Sequence, residues 1–180
     1  MNNQQLNVPK LRFPEFKGEW EMKKLKDVAD INPSNKKLPD EFIYIDLESV
    51  DKGVLLKENL IQKSEAPSRA QRLLSRGDIL FQMVRPYQMN NLYFDRIGNY
   101  VASTGYSQIR TRINDRFLFQ HLHCQKFVDK VIEKCTGTSY PAINSTDLSN
   151  IELCIPELKE QSRIASFFSA IDEKLKLETQ

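Results

Sequence analysis

The side chains best suited to chemistry in this 180-residue chain are few and poorly grouped. His121, His123 and Cys124 form a His-x-His-Cys run, the densest set of soft metal donors. On a helix, positions two apart face away from each other, so the pair of histidines does not converge on one ion. The remaining thiols, Cys135 and Cys154, make no C-x-x-C pair with it. Pro39-Asp40 opens the pattern of a metal-dependent nuclease, but the only later Glu-x-Lys is Glu157-Leu-Lys159, at the start of a different element. Asn32-Pro33-Ser34 approaches the motif of an adenine methyltransferase and lacks its aromatic residue. There is no P-loop, no G-x-G-x-x-G, no G-x-S-x-G elbow and no H-E-x-x-H. The reading is of a chain with no catalytic residue and no metal site, built to bind.

What it binds is a question of charge. The formal charge is only +2, from 26 Lys and Arg against 24 Asp and Glu. The distribution is uneven. Lys57, Lys63, Arg69, Arg72, Arg76, Arg85, Arg96, Arg110 and Arg112 face only Glu58, Glu65, Asp78 and Asp95, so residues 57–112 carry +5 and the rest −3. Seven of these nine cations are Arg, which grips phosphate or guanine O6 and N7 with two parallel bonds. Among them lie Tyr87, Gln88, Asn90, Asn91, Ser103, Thr104 and Tyr106, hydrogen-bonding residues in short loops. Gln and Asn can read adenine in pairs of hydrogen bonds, and hydroxyls can hold phosphates. An ordinary half-exposed sheet would also carry Arg, Tyr and Thr.

The elements that must hold these loops are short. Residues 1–24 read as an extended lead-in, and Leu25 to Asp30 as a small amphipathic helix stopped by Asn32-Pro33. Residues 32–40 are loop by composition. Phe42 to Val50 alternates as a strand, and Asp51-Lys52-Gly53 turns it into Val54-Leu55-Leu56. Residues 57–77 read as a polar connection. Strands follow at Ile79 to Val84, Leu92 to Phe94, Tyr100 to Ala102, Ser107 to Arg112 and Ile151 to Ile155. Phe117, Leu118, Leu122, Phe127, Val128, Val131 and Ile132 give one helix over 115–134. From Glu157 onward neither Gly nor Pro occurs, and Ile164, Phe168, Ile171 and Leu175 form a coiled-coil-type seam that needs a partner. The expectation is an α+β domain over 1–155, its sheet mixed but mainly antiparallel with packed helices, then a long C-terminal helix over 156–180. The absence of an apolar run of about 20 residues and of a signal-peptide pattern at Met1 points to a cytoplasmic protein with no membrane partner. The odd count of three cysteines agrees with reduced thiols.

Five pieces, in order, resemble the specificity subunits of type I restriction-modification systems. They are Val8-Pro-Lys-Leu-Arg-Phe-Pro-Glu-Phe16 leading to Trp20 and Leu25-Lys-Asp-Val-Ala29; Ser68-Arg-Ala70 leading to Gly77-Asp-Ile-Leu-Phe81 and Val84-Arg-Pro-Tyr87; Val101-Ala-Ser-Thr-Gly-Tyr106; Thr136-Gly-Thr-Ser-Tyr-Pro-Ala-Ile143; and Ile155-Pro-Glu-Leu-Lys-Glu-Gln-Ser-Arg-Ile-Ala165 running into Ile171-Asp-Glu-Lys174. The resemblance covers nearly the whole chain and implies one target recognition domain with the start of a spacer helix. Such subunits do no chemistry. Each recognition domain reads one half of a split site in double-stranded DNA, and the subunit docks modification subunits that methylate adenine and restriction subunits that cut. S-adenosylmethionine, ATP and Mg then belong to those partners, and this chain holds no cofactor.

On this resemblance the DNA-facing candidates are Arg69, Arg72, Arg85, Tyr87, Gln88, Asn90, Ser103, Thr104, Tyr106, Ser139 and Tyr140. Gly77, Asp78 and Pro86 are framework, a turn and a fixed backbone that hold Arg85 and Tyr87 at a strand edge. Thr136 to Tyr140 reads as the cap of the long helix. Ile164, Phe168, Ile171 and Leu175 are the interface for a partner helix, from a second recognition domain or from a second copy of a half-subunit. The alternative is a non-catalytic protein–protein adaptor whose helix recruits a partner and whose sheet binds peptide.

Overall fold

The computed structural model describes residues 8–34 and 37–178, with side chains as far as Leu175. The parts of the expected lead-in, loop and terminal helix at 1–7, 35–36 and 179–180 lie outside the described residues. In chain order the elements are β1 (Glu21–Lys24), α1 (Leu25–Val28), β2 (Ala29–Ile31), β3 (Glu41–Ile45), β4 (Val50–Asp51), β5 (Val54–Leu55), β6 (Asn59–Gln62), β7 (Ala70–Leu73), β8 (Ile79–Gln82), β9 (Leu92–Tyr93), β10 (Tyr100–Ser103), β11 (Tyr106–Thr111), α2 (Asp115–Leu122), α3 (Gln125–Glu133), α4 (Ser145–Ser149), β12 (Glu152–Ile155) and α5 (Leu158–Glu178). The expected class holds: mixed helix and mainly antiparallel sheet with a long final helix.

Two four-stranded sheets carry the domain. One has the order β6-β3-β10-β7, with β10 parallel to β3 and the other pairs antiparallel; the second is β2-β11-β8-β9, antiparallel throughout. Side-chain alternation sorts these strands into three layers. On β8, Leu80 faces a core with Ile45, Leu74, Phe94, Tyr100, Ala102 and Tyr106, between the two sheets. Its neighbours Ile79 and Phe81 face a second core with Leu25, Ile109, Phe117, Leu122, Phe127 and Leu153, under the helices. Val101 of β10 joins Phe42 and Ala70 on the outer side of the first sheet. A strand covered on both faces is apolar without alternation, which is why Ile79-Leu-Phe81 reads as an unbroken run.

Several sequence expectations need correction. The polar stretch 57–77 holds β6 and β7, edge strands whose many exposed residues hide the period. The lead-in contains β1, which pairs with β12. The single helix over 115–134 is two, because Cys124 adopts extended backbone between α2 and α3. Asn114 caps α2, its side chain accepting from the Phe117 amide. Thr136 to Tyr140 does not cap a helix: Thr136 pairs with Ala142 in both directions, closing a separate turn.

α5 is rooted in the domain it leaves. Glu160 and Gln161 are buried, Ala165 lies in the helix-side core, and Ile164 packs against that core. The N-terminal segment straps this root. Arg12 donates two bonds to Glu160, each 2.7 Å, and Phe13 meets Phe167 edge to face at 5.8 Å. Arg163 covers the Phe13 ring and reaches Glu15 at 3.7 Å. The Val8–Phe16 motif is therefore a clamp on the final helix.

Candidate nucleic-acid interface

Four backbone bonds draw four loop segments to one end of the sheets. The Thr104 amide donates to the Arg69 carbonyl at 2.9 Å, and the Met83 amide to Gly105 at 3.0 Å. The Ile143 amide then donates to Met83 at 3.1 Å, and the Arg85 amide to Pro141 at 2.8 Å. The segment after β8 is thus flanked by the β10–β11 turn on one side and the 136–142 turn on the other. Gly137 makes the second turn possible: its φ is +91°, and a Cβ there would lie 3.1 Å from the Tyr140 carbonyl oxygen.

At the centre, Arg85 and Met89 both have φ of 53°, left-handed backbone that non-glycine residues rarely adopt. They bracket a single 3₁₀ turn over Pro86–Gln88, with Pro86 buried and Tyr87 and Gln88 exposed. The Arg85 guanidinium lies over the Tyr140 ring, 4.2 Å from its centroid. Such stacking holds the cation in one place while leaving its outer N–H groups free to donate.

The loop rests on Gln82, a buried polar residue at the end of an apolar strand. Its Nε2 donates to the Val84 carbonyl at 2.8 Å and to Gln88 Oε1 at 2.9 Å, while its Oε1 accepts from the Asn90 amide at 3.2 Å. The Gln82 amide donates to Asn91 Oδ1 at 2.8 Å, and Asn91 Nδ2 meets His123 Nε2 at 3.3 Å. His123 Nδ1 lies 2.7 Å from the Phe119 carbonyl, so that nitrogen carries the proton and Nε2 accepts. Sequence reasoning missed Gln82, Asn91 and His123 as supports. The available signal was a glutamine inside the run Ile79-Leu-Phe-Gln-Met-Val84.

The excess of arginine resolves into paired and unpaired members. Arg110 holds Asp78 with two bonds of 2.8 Å, Arg112 pairs with Asp30, and Arg96 reaches Glu58 at 3.7 Å. Asp78 is 1% exposed and also accepts from Gln108 and from the Ser75 amide, so it is framework. Arg69, Arg72, Arg76 and Arg85 have no carboxylate partner among the described residues. Arg69 is exposed beside Thr104, and Arg72 is half-buried on β7. Burial pulls the Arg72 guanidinium below its ordinary value, yet it stays charged at neutral pH. The Nε atoms of Arg72 and Arg85 are both buried without a hydrogen-bond partner.

The expected set of DNA-facing residues therefore divides. Arg85, Tyr87, Gln88, Ser139 and Tyr140 come together on the two turns after β8 and α3, and Arg69, before β7, and Thr104, in the β10–β11 turn, lie beside them. Asn90 is half-buried, and its Oδ1 accepts from the Lys52 amide at 3.1 Å. Tyr106 and Ser103 face inward: they are 0% and 3% exposed, and Ser103 Oγ accepts from the Gly105 amide. Tyr106 joins the core between the two sheets, and Ser103 is buried where the β10–β7 pairing becomes irregular. Their side chains are withdrawn from the contact set. Arg76, exposed and unpaired, was not in that set. No group of three or more His, Cys, Asp or Glu that could hold a metal occurs among the described residues. On α5, Phe168 and Ile171 are exposed, and Leu175 lines a groove with Arg116, Phe119 and Gln120 of α2. Ile164, expected in the same seam, is spent on the domain's own core.

Comparison with known proteins identifies the family. Residues 17–180 match the family described as the type I restriction modification DNA specificity domain. The chain is 27% identical over 144 residues to the HindI specificity subunit of Haemophilus influenzae, covering 77% of this chain and 31% of that protein. It superposes on the crystal structure of the HsdS subunit from Thermoanaerobacter tengcongensis with a TM-score of 0.72 and 28% identity, covering 87% of this chain and 43% of that one. A subunit from a structure on complex assembly and conformational transition of the type I R-M system gives a TM-score of 0.74 at 27% identity, covering 95% and 45%. The chain spans less than half the length of each of these relatives. No helix among the described residues is long and apolar enough to cross a membrane.

Proposed function

The chain belongs to the type I restriction modification DNA specificity family, and from that premise we propose that it reads one half of a bipartite site in double-stranded DNA through the loops around Arg85. One observation carries this reading. The arginines left without a carboxylate among the described residues include Arg85 and Arg69, on adjoining loop segments that, with the β10–β11 and 136–142 turns, also display Tyr87, Gln88, Thr104 and Tyr140. Exposed cations bind phosphates and fix register, while oriented amide and guanidinium donors meet base edges.

The domain itself does no chemistry. Modification subunits that methylate adenine and restriction subunits that cut dock on the specificity subunit, and S-adenosylmethionine, ATP and Mg are held by them. The final helix is a spacer: Phe168 and Ile171 stay exposed beyond the clamped root, and a facing helix from a second recognition domain or a second copy covers them. Electrophoretic shifts of the full chain, with and without a modification subunit, test the proposal. Target-dependent binding that weakens with salt supports it, and binding indifferent to sequence in both settings rejects it.

A further inference from the structure

Gln88 and Asn90 would each serve as two-handed readers of adenine if their carboxamides were free, offering one acceptor and one donor. The structure removes one hand from each. Backbone groups fix the orientations without ambiguity, because a carbonyl can only accept and an amide can only donate. Gln82 Nε2 donates to the Val84 carbonyl and its Oε1 accepts from the Asn90 amide, so Gln82 cannot be turned over. The second Nε2 hydrogen of Gln82 then points to Gln88, which must present Oε1 to it at 2.9 Å. Asn90 is fixed in the same way: its Oδ1 accepts from the Lys52 amide. In both residues one of the oxygen's two lone pairs is engaged by the protein, and because Gln82 is itself buried its bond turns the Gln88 oxygen inward, while the NH₂ group has no partner among the described residues.

Beside them, Arg85 can only donate, and its stack on Tyr140 holds it in place. Resting on the DNA-reading assignment above, we infer that this loop is a donor-only reader, which selects base edges that present acceptors and for which Gln88 is a specificity-determining residue. In the major groove guanine offers O6 and N7 together and thymine offers O4, whereas cytosine offers only its N4 donor. The loop thus favours guanine or thymine opposite Gln88 and disfavours cytosine. It disfavours adenine read through N6 for the same reason, since that contact needs the oxygen that the bond to buried Gln82 turns inward. Gln82 is a positioning residue that sets this polarity and does not itself touch the base.

The test selects bound duplexes from a randomised pool with the full chain and with Gln88→Glu. The substitution is at an exposed side chain and keeps an oxygen for Gln82 while replacing the outward donor by an acceptor. One position should change preference, from guanine or thymine in the wild type toward cytosine or adenine in the variant. Where that position is guanine, resynthesis with 7-deazaguanine, or with a base lacking O6, should weaken wild-type binding about tenfold at that position, the equivalent of about 1.4 kcal/mol. A wild-type preference there for cytosine, or for adenine dependent on its N6 amino group, would overturn the inference and leave DNA reading intact. So would a selection that Gln88→Glu leaves unchanged at every position. A pool in which the wild type enriches no sequence would instead remove the reading on which the inference rests.

Discussion

The guanidinium of Arg85 lies on the ring of Tyr140, joining the turn after β8 to the turn after α3 at the point where four backbone bonds have already aligned four loop segments. The contact fixes a cation that has no carboxylate partner among the described residues. Arg85→Ala should weaken binding to selected duplexes by about 1–3 kcal/mol and relax preference at one position if the side chain meets a base. Arg69→Ala should weaken all duplexes alike and lower the salt slope by about one. Fluorescence anisotropy across a salt series separates the two outcomes.

Asp78 is a framework residue with the largest expected cost. It is 1% exposed and accepts from Arg110, Gln108 and the Ser75 amide. Asp78→Ala leaves those donors unpaired at a nearly closed site, and loss of about 3–5 kcal/mol is expected from urea denaturation. The helical signal in circular dichroism should survive at low denaturant.

Much of this framework could be read in advance. Ile79 to Phe81, the 51–53 turn, Gly77-Asp78 and the final helix carry strong local signals, and each is present. The failures have physical reasons. β6 and β7 are edge strands with exposed faces, so hydrophobic period is absent where backbone pairing alone defines the strand. The break at Cys124 has no Gly or Pro to announce it. Tyr106 follows from alternation once the inner face of β11 is known, whereas the burial of Ser103 arises at the irregular end of the β10–β7 pairing, which no local pattern announces. Gln82 was visible as a polar residue in an apolar run, while its four partners lie as far as Asn91 and become evident only in three dimensions.

His121 gives a pH signature. Burial, aided by the positive charge of Lys130, pulls its imidazole down from 6.5 to about 4. The unfolded chain then binds the extra proton first, so stability is complete above about pH 6.5 and declines as pH falls toward 4. The contribution is of the order of 2 kcal/mol for a half-buried ring. Denaturation midpoints at pH 7 and pH 4.5 should differ less in His121→Gln than in the wild type.

The clamp on α5 makes a separate prediction. Arg12→Ala leaves the buried Glu160 carboxylate without its bidentate partner. Hydrogen exchange should accelerate in the first turns of α5 and in residues 8–16, with the two sheets unaffected. Equal acceleration throughout the domain would show that the N-terminal segment is not a local strap.

Phe168 and Ile171 bear on the spacer helix. Both are exposed beyond the clamped root. Phe168→Glu combined with Ile171→Glu should lower the association state seen in analytical ultracentrifugation, without changing the monomer's circular dichroism. A wild-type chain that stays monomeric at all concentrations and gains no helix partner would remove the spacer role.

Amide hydrogen exchange tests most directly whether the turns around Arg85, Gly105 and Tyr140 form the DNA-contacting surface. The full chain is compared free, with a duplex enriched by selection, and with an unrelated duplex of equal length. Sequence-dependent protection concentrated in residues 83–90, 103–105 and 136–142 is expected. Protection confined to the outer edge at β6 or to α5, with those turns unchanged, would contradict it.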